Sequence, residues 1–351
     1  MLFYLWGAIM HEMIKKTTSQ CNTTVVFLIF AALVLISVLP ALTWASDKEG
    51  KDWHICVAKI VSHPALDACE KGFEAGLASA GFKKDVNVIY DSHNAEGKPS
   101  RADAISQLFA ETDCDLIHSI TTPMTQSVRK FVDRTPIVFS AVTDPEAAGI
   151  VPGGSVPGSK TGTHITGVSD KWPVVLQMRA YSRFVPRART WGTIYNPAED
   201  NSVSHVTEMQ EAMKVLDLQL IEVHAANAAE VEAAARSLVG QVQAIAITAD
   251  NTSVANFEVI SRICNENQIA LFAGDVDSVS KGAIAAYGPD YYLIGYSAGK
   301  KAALVLKGVN PGDIPWGPME KFSLVINQQA AALQGVVIEP DLLRIADKIV
   351  D

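Results

Sequence analysis

From Trp53 onward, short β-branched runs alternate with amphipathic helical stretches, and the series occurs twice with a Gly- and Pro-rich passage between. A strand period that gives way to a helix period again and again leaves few architectures, because each strand must run parallel to the last beneath a covering helix. The first series predicts strands over 54–60, 86–90, 115–120 and 136–139, with helices over 65–80, 101–111 and 124–133. In the first of these helices Leu66, Cys69, Phe73 and Leu77 fall on one face, and Gly81 supplies the stop. Residues 143–166 break the rhythm with Gly153, Gly154, Pro157, Gly158 and Gly162. The second series then predicts strands over 190–195, 219–223, 244–247 and 269–272, with helices over 174–184, 203–216, 228–238 and 253–266. A strand over 283–287, a helix over 291–306 and a strand over 322–326 complete the chain. The fold class expected is therefore α/β, with two doubly wound parallel-sheet lobes joined by a multi-strand hinge.

The first 45 residues read differently. Lys15 and Lys16 precede a 15-residue apolar run from Val25 to Leu39, and Thr43 and Ala45 close it in a small-x-small pattern. That is the order of a secretory signal, with cleavage expected after Ala45. The run is shorter than the roughly 20 residues a spanning helix needs. Trp6 and Glu12 stand ahead of the lysines, so a start at Met13 gives the more conventional charged region. The domains expected are a cleaved signal at 1–45, a first lobe at 46–165 with a returning segment near 288–315, and a second lobe at 166–287 with the C-terminal segment 316–351.

Charge narrows the partners. From totals of 29 basic and 38 acidic residues, removing Lys15, Lys16 and Glu12 leaves a net charge of −10 for the exported part. A nucleic-acid surface needs clustered Lys and Arg, so no nucleic-acid partner is expected. Cys21 precedes the apolar run, and Cys56, Cys69, Cys114 and Cys264 follow it without a metal or redox spacing. Cys56 and Cys114 lie in or beside apolar strands, where buried thiols are the default reading. An oxidising compartment would permit one disulfide, with no pairing chosen by spacing.

Ligands of doubly wound sheets sit beyond the carboxyl ends of the strands. All six strand ends inspected carry Ser, Thr, Asn, Asp or similar groups: Ser62-His63-Pro64-Ala65-Leu66-Asp67, Thr121-Thr122 with Gln126, Ser140 with Thr143-Asp144, Tyr195-Asn196 with Asn201-Ser202, Thr248 with Asp250-Asn251, and Asp275. Any one of these reads first as a helix cap. Their convergence on six corners is what a small polar pocket requires. Catalytic motifs are not seen. No two of the eight histidines share a metal spacing, and Gly167-Val-Ser169-Asp-Lys171 lacks the second glycine of a nucleophile elbow. Gly295 and Gly299 lie inside a helical stretch and not between a strand and a helix, which argues against a phosphate cradle. No enzyme activity, metal or cofactor is expected.

Seven segments in order, His63–Asp67, Thr122–Gln126, Val138–Pro145, Thr166–Asp170, Tyr195–Ser202, Ala249–Thr252 and Phe272–Asp275, resemble the tryptophan/tyrosine-binding group of bacterial ABC-transporter substrate-binding proteins. The resemblance runs from about Trp53 to about Gly335. It implies a type I periplasmic-binding fold that closes on its ligand and serves a membrane permease with its ATPase. It implies a first-lobe pocket at His63, Ala65, Asp67, Thr122, Gln126, Thr143 and Asp144, and a second-lobe pocket at Tyr195, Asn196, Asn201, Ser202, Asp250, Asn251 and Asp275. Thr125 stands where the group usually has alanine, and Lys98 where an acidic residue is common.

The function expected is thus a periplasmic solute-binding protein whose ligand is a small polar metabolite, an amino acid, with aromatic ones among the candidates. The ligand carboxylate is expected at the helix after Thr122, held by hydroxyl and N–H donors. Its ammonium is expected on Asp250 first and Asp275 second, and its ring near Tyr195, Trp172 or Phe139. A membrane sensor subunit is the alternative that shares this pocket. A periplasmic enzyme ranks below it, and a cytoplasmic repressor lower still, since the N-terminus offers no helix-turn-helix.

Overall fold

The computed structural model describes residues 52–319 and 321–350, which form one compact unit. The export segment expected over 1–45 lies outside the described residues. The first lobe opens with β1 (Trp53–Lys59), α1 (Pro64–Ser79), β2 (Val88–Asn94), α2 (Pro99–Glu111), β3 (Leu116–Ile120), α3 (Thr122–Phe131), β4 (Ile137–Val142) and β5 (Ile165–Ser169). The second continues with α4 (Val174–Ser182), β6 (Thr190–Tyr195), α5 (Asp200–Leu216), β7 (Gln219–His224), α6 (Ala228–Ser237) and β8 (Ala244–Ile247). Then come α7 (Asn251–Ala255), α8 (Phe257–Asn267), β9 (Ala270–Ala273) and β10 (Ala285–Pro289). The chain returns to the first lobe as α9 (Tyr291–Leu306) and β11 (Gly317–Pro318). It ends in the second as β12 (Phe322–Asn327), α10 (Gln328–Leu333), α11 (Pro340–Ile345) and β13 (Lys348–Val350).

The sheets are ordered β11-β5-β4-β3-β1-β2 and β13-β12-β10-β9-β8-β6-β7. Each therefore contains the same doubly wound core, with its own switch point between the first and third strands. Only β12 runs antiparallel to its neighbour β10. The chain passes between the sheets after Ser169, after Pro289 and after Pro318. The strand Ile165–Ser169 pairs in parallel with β4, so the sheet of the first lobe extends through the stretch where the sequence places the boundary. Its run, buried on both faces and holding Gly167, has no alternation to betray a strand. Gly167 is required there because a Cβ would come within 2.3 Å of the Phe139 ring.

The Gly295–Gly299 pair has a packing role. A Cβ at Gly295 would lie 1.8 Å from the Cys69 carbonyl oxygen, and one at Gly72 would lie 2.0 Å from that of Tyr292. Gly76 and Gly299 meet in the same way, so α1 and α9 cross backbone against backbone. This seam fixes the starts of both helices, at His63 and Tyr291, on the same side of the first sheet. Cys56 and Cys114, for which free thiols are the default reading, are instead joined in a disulfide with a Cα–Cα distance of 5.9 Å. Parallel pairing of β1 with β3 brings them together, a proximity that no local spacing announces. Cys69 and Cys264 are free and buried. Among the described residues no helix is long and apolar enough to cross a membrane.

Candidate functional site

The carboxyl ends of both sheets open onto one cleft. The first lobe contributes His63, Ala65 and Leu66 from the start of α1, Thr121 after β3, Ala141 and Thr143 after or within β4, Asp170 after β5, and Tyr291 from α9. The second contributes Asn201 from the start of α5, Ala249, Asp250, Asn251 and Val254 around α7, and Asp275 after β9.

The wall of the second lobe is a dense hydrogen-bond network. Asp250 caps α7, its Oδ1 accepting from the Ser253 backbone N–H at 2.6 Å. Its Oδ2 accepts from the Asn196 N–H at 2.7 Å and the Ser202 hydroxyl at 2.7 Å. Glu199 accepts from the side-chain amides of Asn251 at 2.5 Å and Asn201 at 3.2 Å, and Asn201 also donates to the Ala249 carbonyl at 2.6 Å. Asp275 holds the next turn through the Ser278 N–H and hydroxyl, each at 2.8 Å.

The wall of the first lobe is built on strain. Thr121 has φ 89° and Ala141 φ 54°, in the left-handed region that non-glycine residues avoid, and for a β-branched threonine this is a true outlier. At Ala141 the register of β4 against β5 shifts, a bulge that re-aims the residues after it. The helix starts here also lack side-chain caps, both at His63 and at Thr121. Thr121 Oγ1 and His63 Nδ1 are buried without a hydrogen-bond partner, as is Asn201 Oδ1 opposite them. Unpaired buried polar atoms are expensive, and three facing one cleft point to a partner that enters it.

Charge in the cleft is one-sided. Asp170, Asp250 and Asp275 are buried, and burial pushes each carboxyl above its ordinary pKa. No lysine or arginine is among the described residues lining the cleft. Burial lowers the His63 imidazole to about 4, so it is neutral near pH 7, one nitrogen donating and one accepting. Asp170 accepts from Thr143 Oγ1 at 3.0 Å and Tyr291 Oη at 2.6 Å.

Of the residues expected from sequence, His63, Ala65, Thr143, Asn201, Asp250, Asn251 and Asp275 line this cleft together. Asn196 and Ser202 stand behind it, holding Asp250. Thr122 and Asp144 line an adjoining pocket nearer the surface. Gln126 donates to Asp200 of the opposite lobe at 2.7 Å, bridging the mouth. Asp67 is engaged by Lys59 at 2.5 Å and by the Ser62 hydroxyl. Tyr195 lies apart, its hydroxyl donating to Glu222. Trp172, also weighed for ring packing, is stacked on His205 with ring centroids 4.1 Å apart, and Phe139 is buried against Gly167. Thr125 sits beneath Thr121, its hydroxyl donating to the Thr121 carbonyl. Leu66 and Thr121, read at the strand ends but not placed in the expected pocket, also line it, as do Ala141, Asp170, Ala249, Val254 and Tyr291. Asp170 had a signal, as it ends the Thr166–Asp170 segment directly after β5. Tyr291 had none, because its approach depends on the glycine seam.

Comparison with known proteins gives a consistent result. The family model described as ABC transporter substrate binding protein matches residues 54–350. A tyrosine-binding protein of Clostridioides difficile is 33% identical over 278 residues, 79% of each chain. A solved ABC domain from Streptococcus pneumoniae in complex with L-Trp superposes with a TM-score of 0.81 at 29% identity, covering 86% of this chain and 100% of that one. A ligand-free, open substrate-binding protein with adhesive properties from Clostridium difficile, at 30% identity, covering 85% of this chain and 99% of that one, reaches a TM-score of 0.63. The architecture is that of type I periplasmic-binding proteins.

Proposed function

This chain belongs to the family of ABC transporter substrate-binding proteins, and we propose that it captures one amino acid, aromatic by preference, in the cleft between its lobes for an importer. Members of this family bind ligands and do not transform them. The observation that carries the reading is the unsatisfied chemistry of the cleft, where buried polar atoms lack partners and buried carboxylates lack a cation. An amino acid supplies both an ammonium and a carboxylate. The carboxylate docks at the uncapped start of α3, where the Thr121 hydroxyl and the positive end of the helix dipole favour an anion. The ammonium docks on the carboxylates of the cleft. The side chain lies against Leu66, Val254 and Tyr291, which supply its apolar lining. The tyrosine- and tryptophan-binding relatives support the aromatic preference.

Capture takes place outside the cytoplasmic membrane, in the periplasm, and the closed form is handed to a permease with its ATPase. The export-like residues at 15–45 and the disulfide between Cys56 and Cys114 support that compartment, because disulfides persist where the surroundings oxidise. Closure follows from ligand contacts to both lobes, which favour the closed state by differential affinity. The test is a thermal-shift screen of the purified protein across the amino acids, with mass spectrometry of anything released on denaturation. Tyrosine or tryptophan should raise the melting temperature by mass action. No shift with any amino acid would reject the substrate class.

A further inference from the structure

We propose that Asp170 and Asp275 act as a charge gate, two buried carboxylates brought to one cleft from opposite lobes, which resists closure until a ligand ammonium stands between them. The proposal rests on the reading of the cleft as an amino-acid site, and it names the groups that make an amine obligatory.

Asp170 follows β5 in the first sheet and Asp275 follows β9 in the second, and both face the same cleft at 3% and 4% exposure. Their hydrogen-bond donors are all neutral, so neither carboxylate has a cationic partner. Asp170 takes one donor on each oxygen, from Thr143 and Tyr291, and Asp275 one on each, both from Ser278. Backbone N–H groups at Asp170, and at Asp275 and Asp277, also act on these carboxylates, and every one of these donors is neutral. Asp250 has a structural task within its own lobe, capping α7 and anchoring Asn196 and Ser202. The unpaired Thr121 and Asn201 oxygens, on residues 3% and 4% exposed, show independently that something is meant to occupy this space.

Among the described residues no cation takes the place of the ligand. Lys171, next in sequence to Asp170, is turned to Asp144 at 2.9 Å and Glu208 at 3.3 Å. Lys59 is spent on Asp67 and Glu70. The other ionisable groups around the pair are the Tyr291 and Tyr181 phenols, the Cys69 thiol and the Asp277 carboxyl, and none carries positive charge. His63 and Asp250 share the cleft, the first neutral and the second acidic. Burial and the Asp275 charge both raise the Asp170 pKa, so closing the lobes without a cation costs either repulsion or a proton. An ammonium removes that cost, and a proton removes it too.

Small-angle scattering of the ligand-free protein is the direct test, because it reads closure without any ligand. At about pH 7.5 the parent should be extended, and it should become compact as the pH falls toward about 5. Asp275→Asn and Asp170→Asn should each be compact at neutral pH, and each should bind L-tryptophan or L-tyrosine about 100-fold more weakly than the parent. Closure without ligand together with weaker binding is a pair of changes that a merely structural role would not produce. A parent whose dimensions ignore pH, or variants as extended as the parent, would overturn the gate. Failure of the amino-acid reading would look different: no parental binding of any amino acid, whatever the scattering shows.

Discussion

The two walls of the cleft are made from the same kind of strand end, yet they are finished differently. The second-lobe wall is mostly satisfied from within: Glu199, Asn201, Ser202, Asp250 and Asn251 bond mainly to one another and to nearby backbone, with Asn201 Oδ1 left over. The first-lobe wall does not, since its residues at Thr121 and Ala141 are strained, its helix starts are uncapped and its polar atoms wait for partners. One wall is a rigid frame, and the other is completed by what binds. A pre-organised frame lowers the ordering cost of binding, while strain and unpaired groups make the unfilled wall responsive.

The largest effect should come from breaking the frame. Asp250→Ala strands the Asn196 N–H, the Ser202 hydroxyl and the Ser253 N–H. It should cost about 3–5 kcal/mol in urea unfolding, whereas Asp170→Asn should cost far less stability while still weakening binding. Equal losses of stability for the two would erase the distinction. Next is the bridge behind the first wall. Replacing Cys56 and Cys114 by serine opens a link across 58 residues and should cost about 2–4 kcal/mol. Gly295→Ala should cost about 1–3 kcal/mol and should also weaken binding, because α1 and α9 must separate and carry His63 and Tyr291 with them.

His205 tests the frame from the other direction. It is fully buried against Trp172, neither ring nitrogen has a hydrogen-bond partner, and burial lowers its pKa to about 3. The unfolded chain therefore takes up a proton below about pH 6.5 that the folded one refuses, and stability is lost as pH falls from there toward 3. His205→Phe should raise stability by about 1–2 kcal/mol and flatten the acid limb by about 1.4 kcal/mol per pH unit. Urea midpoints across that range would measure both. The smallest effect belongs to the mouth. Lys171→Met removes the half-exposed bridge between Asp144 and Glu208 and should change binding by about 1 kcal/mol or less, the difference vanishing at high salt.

Much of this was legible in the sequence, for identifiable reasons. The repeated strand–helix period carries the two sheets, and strand-end polarity finds seven lining residues, from His63 to Asp275. What it misses is non-local. Tyr291 reaches the cleft because four glycines let two helices touch, and Thr121 and Ala141 matter through backbone angles that their side chains do not advertise. Tyr195 looked suitable at its strand end, but the pleat turns its ring toward Glu222 and His224 and away from the cleft lining. The Cys56–Cys114 link depends on which strands become neighbours. Each is a fact of packing, fixed only once the sheets are ordered.

The central claim is that the cleft holds an amino acid by its ammonium. Calorimetric titration with L-tryptophan and L-tyrosine beside their des-amino acids, which keep the ring and the carboxylate, tests it most directly. The account predicts tight binding of at least one amino acid and a loss of about 1,000-fold or more for its des-amino partner, since two buried carboxylates would then face no cation. Equal affinity for the pair would contradict it.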